Sequence, residues 1–134
     1  MVSDVILNKI SVIEKCLGRI KDVYGNDADN LTDFTKQDSI VLNIQRACEA
    51  CIDLAMHISA EKKFGVPQKS REAFELLHVN NIISIETASN MKAMVGFRNI
   101  AVHDYQAINA DILKEIIEHH LDDFTSFTKQ ILSY

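Results

Sequence analysis

The run Val41-Leu42-Asn43-Ile44-Gln45-Arg46-Ala47-Cys48-Glu49-Ala50-Cys51-Ile52-Asp53-Leu54-Ala55-Met56-His57-Ile58 decides the fold class. Its apolar members Val41, Leu42, Ile44, Ala47, Cys48, Cys51, Ile52, Leu54, Ala55 and Ile58 cover most of a helical circumference. A helix apolar on nearly every side has to be wrapped by others, so this is the expected central helix of a bundle. It should begin at about Asp33 or Asp38 and continue to Phe64, where Gly65-Val66-Pro67 stops it.

Toward the N-terminus, Ser3 to about Tyr24 places Val5, Ile6, Ile10, Ile13, Leu17 and Ile20 at helical intervals behind Ser3 as cap. Gly25-Asn26-Asp27 ends that helix, and Ala28 to Thr32 reads as a polar loop. Toward the C-terminus, Ser70-Arg71-Glu72-Ala73-Phe74 opens a short helix, with Ser70 and a nearby acid as the expected cap, and Asn80-Asn81 breaks it. Ser84 caps a fourth helix whose inner side is Ile85, Ala88, Met91, Met94 or Val95, and Phe97. After Gln106 to Asn109, a last helix is expected to run to about Leu132 on Ile112, Leu113, Ile116, Ile117, Leu121, Phe124, Phe127 and Ile131. No strand-like alternation or internal repeat interrupts this pattern. The sequence therefore predicts an all-α protein, an antiparallel bundle of four to five helices forming one domain over residues 1–134.

Bulk properties narrow the function. At 134 residues with 47% hydrophobic content, the chain can bury a core without metal or disulfide staples. No apolar run approaches the roughly 20 residues of a membrane span. Met1-Val2-Ser3-Asp4-Val5 lacks the basic and apolar regions of a secretory signal. Three cysteines without scaffold spacing point to a reducing cytoplasm. The net charge of −5 excludes a broad basic nucleic-acid surface, so any attraction for phosphate has to be local.

One stretch offers that attraction. Arg98-Asn99-Ile100-Ala101-Val102-His103-Asp104-Tyr105 puts a guanidinium, an amide, an imidazole and a phenol within two helical turns. At about 100° per residue, Asn99 and His103 share one helix face and Arg98 and Tyr105 another, so a groove over the edge between them could be lined by all four. Arg grips phosphate with two hydrogen bonds, and His exchanges protons near neutral pH. Those two abilities suffice to cleave RNA without a metal. One group takes the 2′-hydroxyl proton while fixed charge stabilises the five-coordinate phosphorus. The plainer account makes Arg98 and Asp104 solvated charges and His103 a favourable C-terminal helix residue.

R-x4-H-x-Y late in the fourth helix, with Asn99 directly after the Arg and Gly96-Phe97 before it, resembles the HEPN superfamily, and more narrowly the HepT-like toxins of HEPN/MNT toxin–antitoxin pairs. The likeness extends to Leu42–His57 and to Arg71–Leu77. It implies an HEPN-type bundle acting as a metal-independent endoribonuclease toxin. Arg98 and His103 would be the catalytic pair, supported by Asn99. Two copies would form a homodimer whose motifs face one cleft. The resemblance further implies that a nucleotidyltransferase antitoxin attaches AMP to Tyr105, setting negative charge where the RNA phosphate would lie. The alternative is a catalytically silent dimer of the same fold, serving as a binding or assembly module.

Other clusters are weaker. Arg46, Glu49, Asp53 and His57 form a polar stripe on the long helix, either a row of ion pairs or a dimer seam, or a support for Arg98 and His103, with Asp53 as the candidate. Cys48-x2-Cys51 lacks a second ligand pair and reads as core. Glu115, Glu118, His119 and His120 lack the paired Glu-x2-His of a di-metal bundle, so no metal or cofactor is expected. Met91 and Met94 read as core or interface filler.

Overall fold

In a computed structural model that describes residues 3–134, the chain is all-helical; Met1 and Val2 of the N-terminal stretch lie outside the described residues. Six α-helices follow in order: α1 (Asp4–Tyr24), α2 (Phe34–Glu61), α3 (Ser70–Val79), α4 (Ile85–His103), α5 (Ala110–His119) and α6 (Leu121–Ser133). Short 3₁₀ turns occupy Ala28–Thr32 and Tyr105–Ala107. Among the described residues there is no strand, and no helix is long and apolar enough to cross a membrane.

The central position of α2 follows from its small residues. Ala47, Cys48, Ala50, Cys51 and Ala55 are all buried, and they let α1 pack along it while α3 and α4 close its other sides. The three thiols of Cys16, Cys48 and Cys51 are free and buried, and burial pushes each of them up from the ordinary cysteine range. The far side of the core is aromatic. Phe74 of α3 meets Phe127 of α6 edge-to-face at 5.6 Å, a geometry that adds about 0.5–1.5 kcal/mol to the burial itself.

Most helix ends follow the local signals. Ser3 and Ser84 accept from Ile6 and Thr87 N–H, Asn109 caps α5 through Ile112 N–H, and Gly25 closes α1 in the left-handed region at φ 57°. Asp33 rather than Asp38 caps α2, through Lys36 N–H.

Several expectations fail, each for a tertiary reason. The last helix is two, because His120 leaves helical geometry (φ −128°, ψ −2°). Its imidazole contacts Glu115 at 3.5 Å and Asp123 at 3.1 Å. The bend lets α5 pack on the Ala28–Thr32 turn while α6 packs on α4, which one straight rod could not do. Ile112 is exposed as a consequence. Ala28–Thr32 is a 3₁₀ turn instead of an open loop because Leu31 is buried beneath it. α2 ends at Glu61, short of Phe64, as Lys63 enters the left-handed region at φ 58°. Lys69, not Ser70, occupies the cap position of α3, and the Glu72 carboxylate instead accepts from Gln68 N–H. Ile85 and Leu42 face outward, and the buried Thr87 takes the inner place predicted for Ile85.

Two neighbours fix α4. Gln130 of α6 accepts from Ser84 N–H at 2.7 Å and donates to Thr87 Oγ1 at 2.8 Å, pinning the first turn. From α3, Arg71 Nε donates to the Lys92 carbonyl at 3.3 Å, and its guanidinium lies where a Cβ on Gly96 would approach within 3.2 Å.

Candidate active site

The C-terminal half of α4 runs antiparallel to α2, and the polar residues of the octet divide along that seam. Arg98 is half-buried. Its Nη1 donates to Asn99 Oδ1 at 3.1 Å, and its Nη2 faces the Glu49 carboxylate of α2 at 3.6 Å. Glu49 is itself held by Gln45 at 3.2 Å. The buried Nε–H of Arg98 finds no acceptor among the described residues. Leaving a buried donor unpaired costs about 1–3 kcal/mol; what holds the guanidinium in place is its pair of contacts to Asn99 and Glu49.

His103 is the last residue of α4 and is exposed. No side-chain hydrogen bond or ion pair engages it among the described residues, which leaves both ring nitrogens open to a substrate. Asp104 then leaves the helix at φ −149°, with its N–H returned to Ile100 O at 2.8 Å. Tyr105 therefore does not lie one helical repeat beyond Arg98. It sits in the following 3₁₀ turn, where its hydroxyl donates to Asp38 Oδ1 near the start of α2. Asp38 and Glu49 are eleven residues apart on α2, about 16 Å at 1.5 Å per residue. Arg98 and Tyr105 thus meet α2 at two separate places on one face, with Leu42 and Gln45 between them on that helix. A pocket of about 290 Å³ opens at the Tyr105 end, lined by Asp38, Val41, Leu42, Gln45 and Tyr105.

Partial burial first, and then the bond to Asp38, push the Tyr105 phenol up to about 12. Asp53, the sequence candidate for a supporting role, binds Lys9 of α1 at 2.9 Å, and no bond joins it to Arg98 or His103 among the described residues. His57 pairs with Glu61 at 3.1 Å, so the polar stripe is not one continuous row of ion pairs.

Sequence reasoning did not connect Glu49 to Arg98 or Asp38 to Tyr105. A signal existed. Asp38, Leu42, Gln45 and Glu49 follow the i, i+4, i+7, i+11 spacing of a single helical face, and none of the four is buried.

The family described as "Ribonuclease HepT-like" matches residues 13–131. The chain belongs to the HepT-like family. It is 52% identical over 125 residues to the mRNA nuclease HepT of Shewanella oneidensis, covering 93% of this chain and 94% of that protein. It is 28% identical over 131 residues to the tRNA nuclease HepT of Aphanizomenon flos-aquae, covering 97% of this chain and 89% of that one. Among solved structures it is similar to a tri-AMPylated Shewanella oneidensis HEPN toxin in complex with MNT antitoxin. That match has a TM-score of 0.94 at 50% identity, covering 99% of this chain and all of the other. The HEPN-type bundle expected from the octet is the fold observed.

Proposed function

We propose that this chain is the toxin of a HEPN/MNT pair, a cytoplasmic, metal-independent endoribonuclease that works as a homodimer and forms one domain. The observation that carries the reading is the pairing on α4 of a fixed guanidinium, Arg98, with an exposed and unengaged imidazole, His103. Asn99 and Glu49 orient Arg98 toward a phosphate, whose non-bridging oxygens take its free N–H groups as charge builds at phosphorus. His103 accepts the 2′-hydroxyl proton, and the 2′-oxygen attacks phosphorus while the 5′-oxygen leaves.

The leaving oxygen needs a proton donor. Each protomer supplies one His103, so two copies facing one cleft divide the base and acid roles. Exposed Ile100 and Val102, on either side of the buried Ala101, give that end of α4 apolar surface for such a contact. RNA is the substrate class. The Shewanella oneidensis and Aphanizomenon flos-aquae relatives are named for mRNA and tRNA respectively.

The partner is an MNT-type nucleotidyltransferase antitoxin, and Tyr105 is the residue that receives AMP. The relative solved with MNT antitoxin is tri-AMPylated, and the Tyr105 hydroxyl is exposed beside Asp38 at a small pocket against α2. AMP there would place negative charge and bulk along the path of the RNA.

The test is cleavage of RNA by the purified protein in EDTA, with 2′,3′-cyclic phosphate ends expected. Arg98→Ala and His103→Ala should each reduce cleavage by about 10²-fold or more while keeping helical content. Dependence on added divalent metal would overturn the mechanism. Full activity in both variants would remove these residues from it. A wild-type dimer that binds RNA without cutting it would establish the binding-module alternative. Asp53→Asn should leave cleavage unchanged, given its pairing with Lys9.

A further inference from the structure

The phenol of Tyr105 is a poor nucleophile as it stands. It is protonated, and its surroundings hold it so well above physiological pH. Adding AMP to it requires a group that removes the proton as the new bond forms. Among the described residues one side chain bonds that hydroxyl, the carboxylate of Asp38. The other polar residue of the small pocket, Gln45, cannot take a proton. Asp38 is exposed and belongs to α2, so it is fixed by the helix and open to the same approaching molecule as Tyr105.

From this geometry we infer that Asp38 is the general base for nucleotide transfer to Tyr105, so that the toxin carries part of the machinery of its own silencing. The inference rests on the reading of Tyr105 as the modified residue. In the step, Tyr105 Oη attacks the α-phosphorus of an ATP held by the nucleotidyltransferase. The Oη–P bond forms, the bond from the α-phosphorus to the bridging oxygen breaks, and pyrophosphate leaves with the electron pair. The phenolic proton passes to Asp38 Oδ1 and then to water. A pocket of about 290 Å³ lies at the lower limit for small-molecule sites, so the nucleotide arrives bound to the transferring enzyme and only its reacting end enters.

The same bond has a second consequence. Once AMP is attached, Tyr105 has no proton to donate, and the Asp38 carboxylate faces a phosphodiester of like charge. Repulsion then turns the new group away from Asp38 and the start of α2.

The experiment mixes the toxin with an MNT-type nucleotidyltransferase and ATP and follows AMP addition by intact mass under single-turnover conditions. Docking affinity is measured separately by calorimetry. Asp38→Asn should slow addition by about 10²-fold with docking affinity changed by less than about twofold, and Asp38→Glu should recover most of the rate. Transfer at the wild-type rate in Asp38→Asn, or a loss explained wholly by weaker docking, would overturn the assignment. If wild-type protein gains no AMP, or Tyr105→Phe gains as much, the reading of Tyr105 fails instead, which separates the two outcomes.

Discussion

Two phenol–carboxylate pairs in this protein have the same chemistry and opposite settings. Tyr24 of α1 donates to Glu118 of α5, and Tyr105 donates to Asp38 of α2. Both phenols are pushed up to about 12, Tyr24 chiefly by its hydrogen bond to Glu118 and Tyr105 chiefly by partial burial. Tyr24 is only 4% exposed and belongs to the core, whereas Tyr105 is 41% exposed on a turn of three residues. The first bond ties two helices together through a ring that is already buried. The second holds a hydroxyl at the surface, where a partner can reach it. The same pair is thus a fastener inside the fold in one setting and, on the reading proposed above, a site of modification in the other.

That contrast can be broken most directly by truncation. Tyr24→Ala should cost about 3–5 kcal/mol of stability, since it empties a core position, while Tyr105→Ala should change stability by no more than about 0.5 kcal/mol. Denaturant unfolding reads both, and equal losses would erase the distinction.

Removing the hydroxyls alone gives a smaller effect. Tyr24→Phe should cost about 1 kcal/mol, because the ring remains but the Glu118 bond goes. Tyr105→Phe should be close to neutral in the same unfolding assay.

The smallest effect is spectroscopic. In ultraviolet titration two phenols should ionise near pH 12, and Asp38→Asn should lower one of them only part of the way, since burial remains, while leaving the other. The sign for stability follows. A phenol whose folded pKa exceeds its unfolded one stabilises the fold fully below about pH 10, and that contribution is lost as pH rises toward 12. Asp38→Asn should therefore remove some of the alkaline loss of stability, and Tyr24→Phe should remove the share due to Tyr24.

How much the sequence showed depended on the range of the interaction involved. The central helix, the Ser3 and Ser84 caps and the Gly25 stop were readable because each is set within about one helical turn. Arg98 and His103 stood out for the same reason, five residues apart at the end of one helix. Glu49 was visible only as part of a stripe, and Asp38 only as a possible helix start. Their partners lie far off in sequence and meet them through the way α4 and the turn after it lie against α2.

By itself the sequence determined that the chain would be helical, which helix would be central and that a guanidinium and an imidazole would stand together near the end of α4, since local periodicity and residue chemistry are properties of the chain. Tertiary structure alone decided that the last helix bends at His120, that Tyr105 turns away from the α4 axis to Asp38, and that Glu49 rather than Asp53 holds Arg98. Those outcomes depend on where separate helices come to rest against one another, and packing geometry of that kind has no local code.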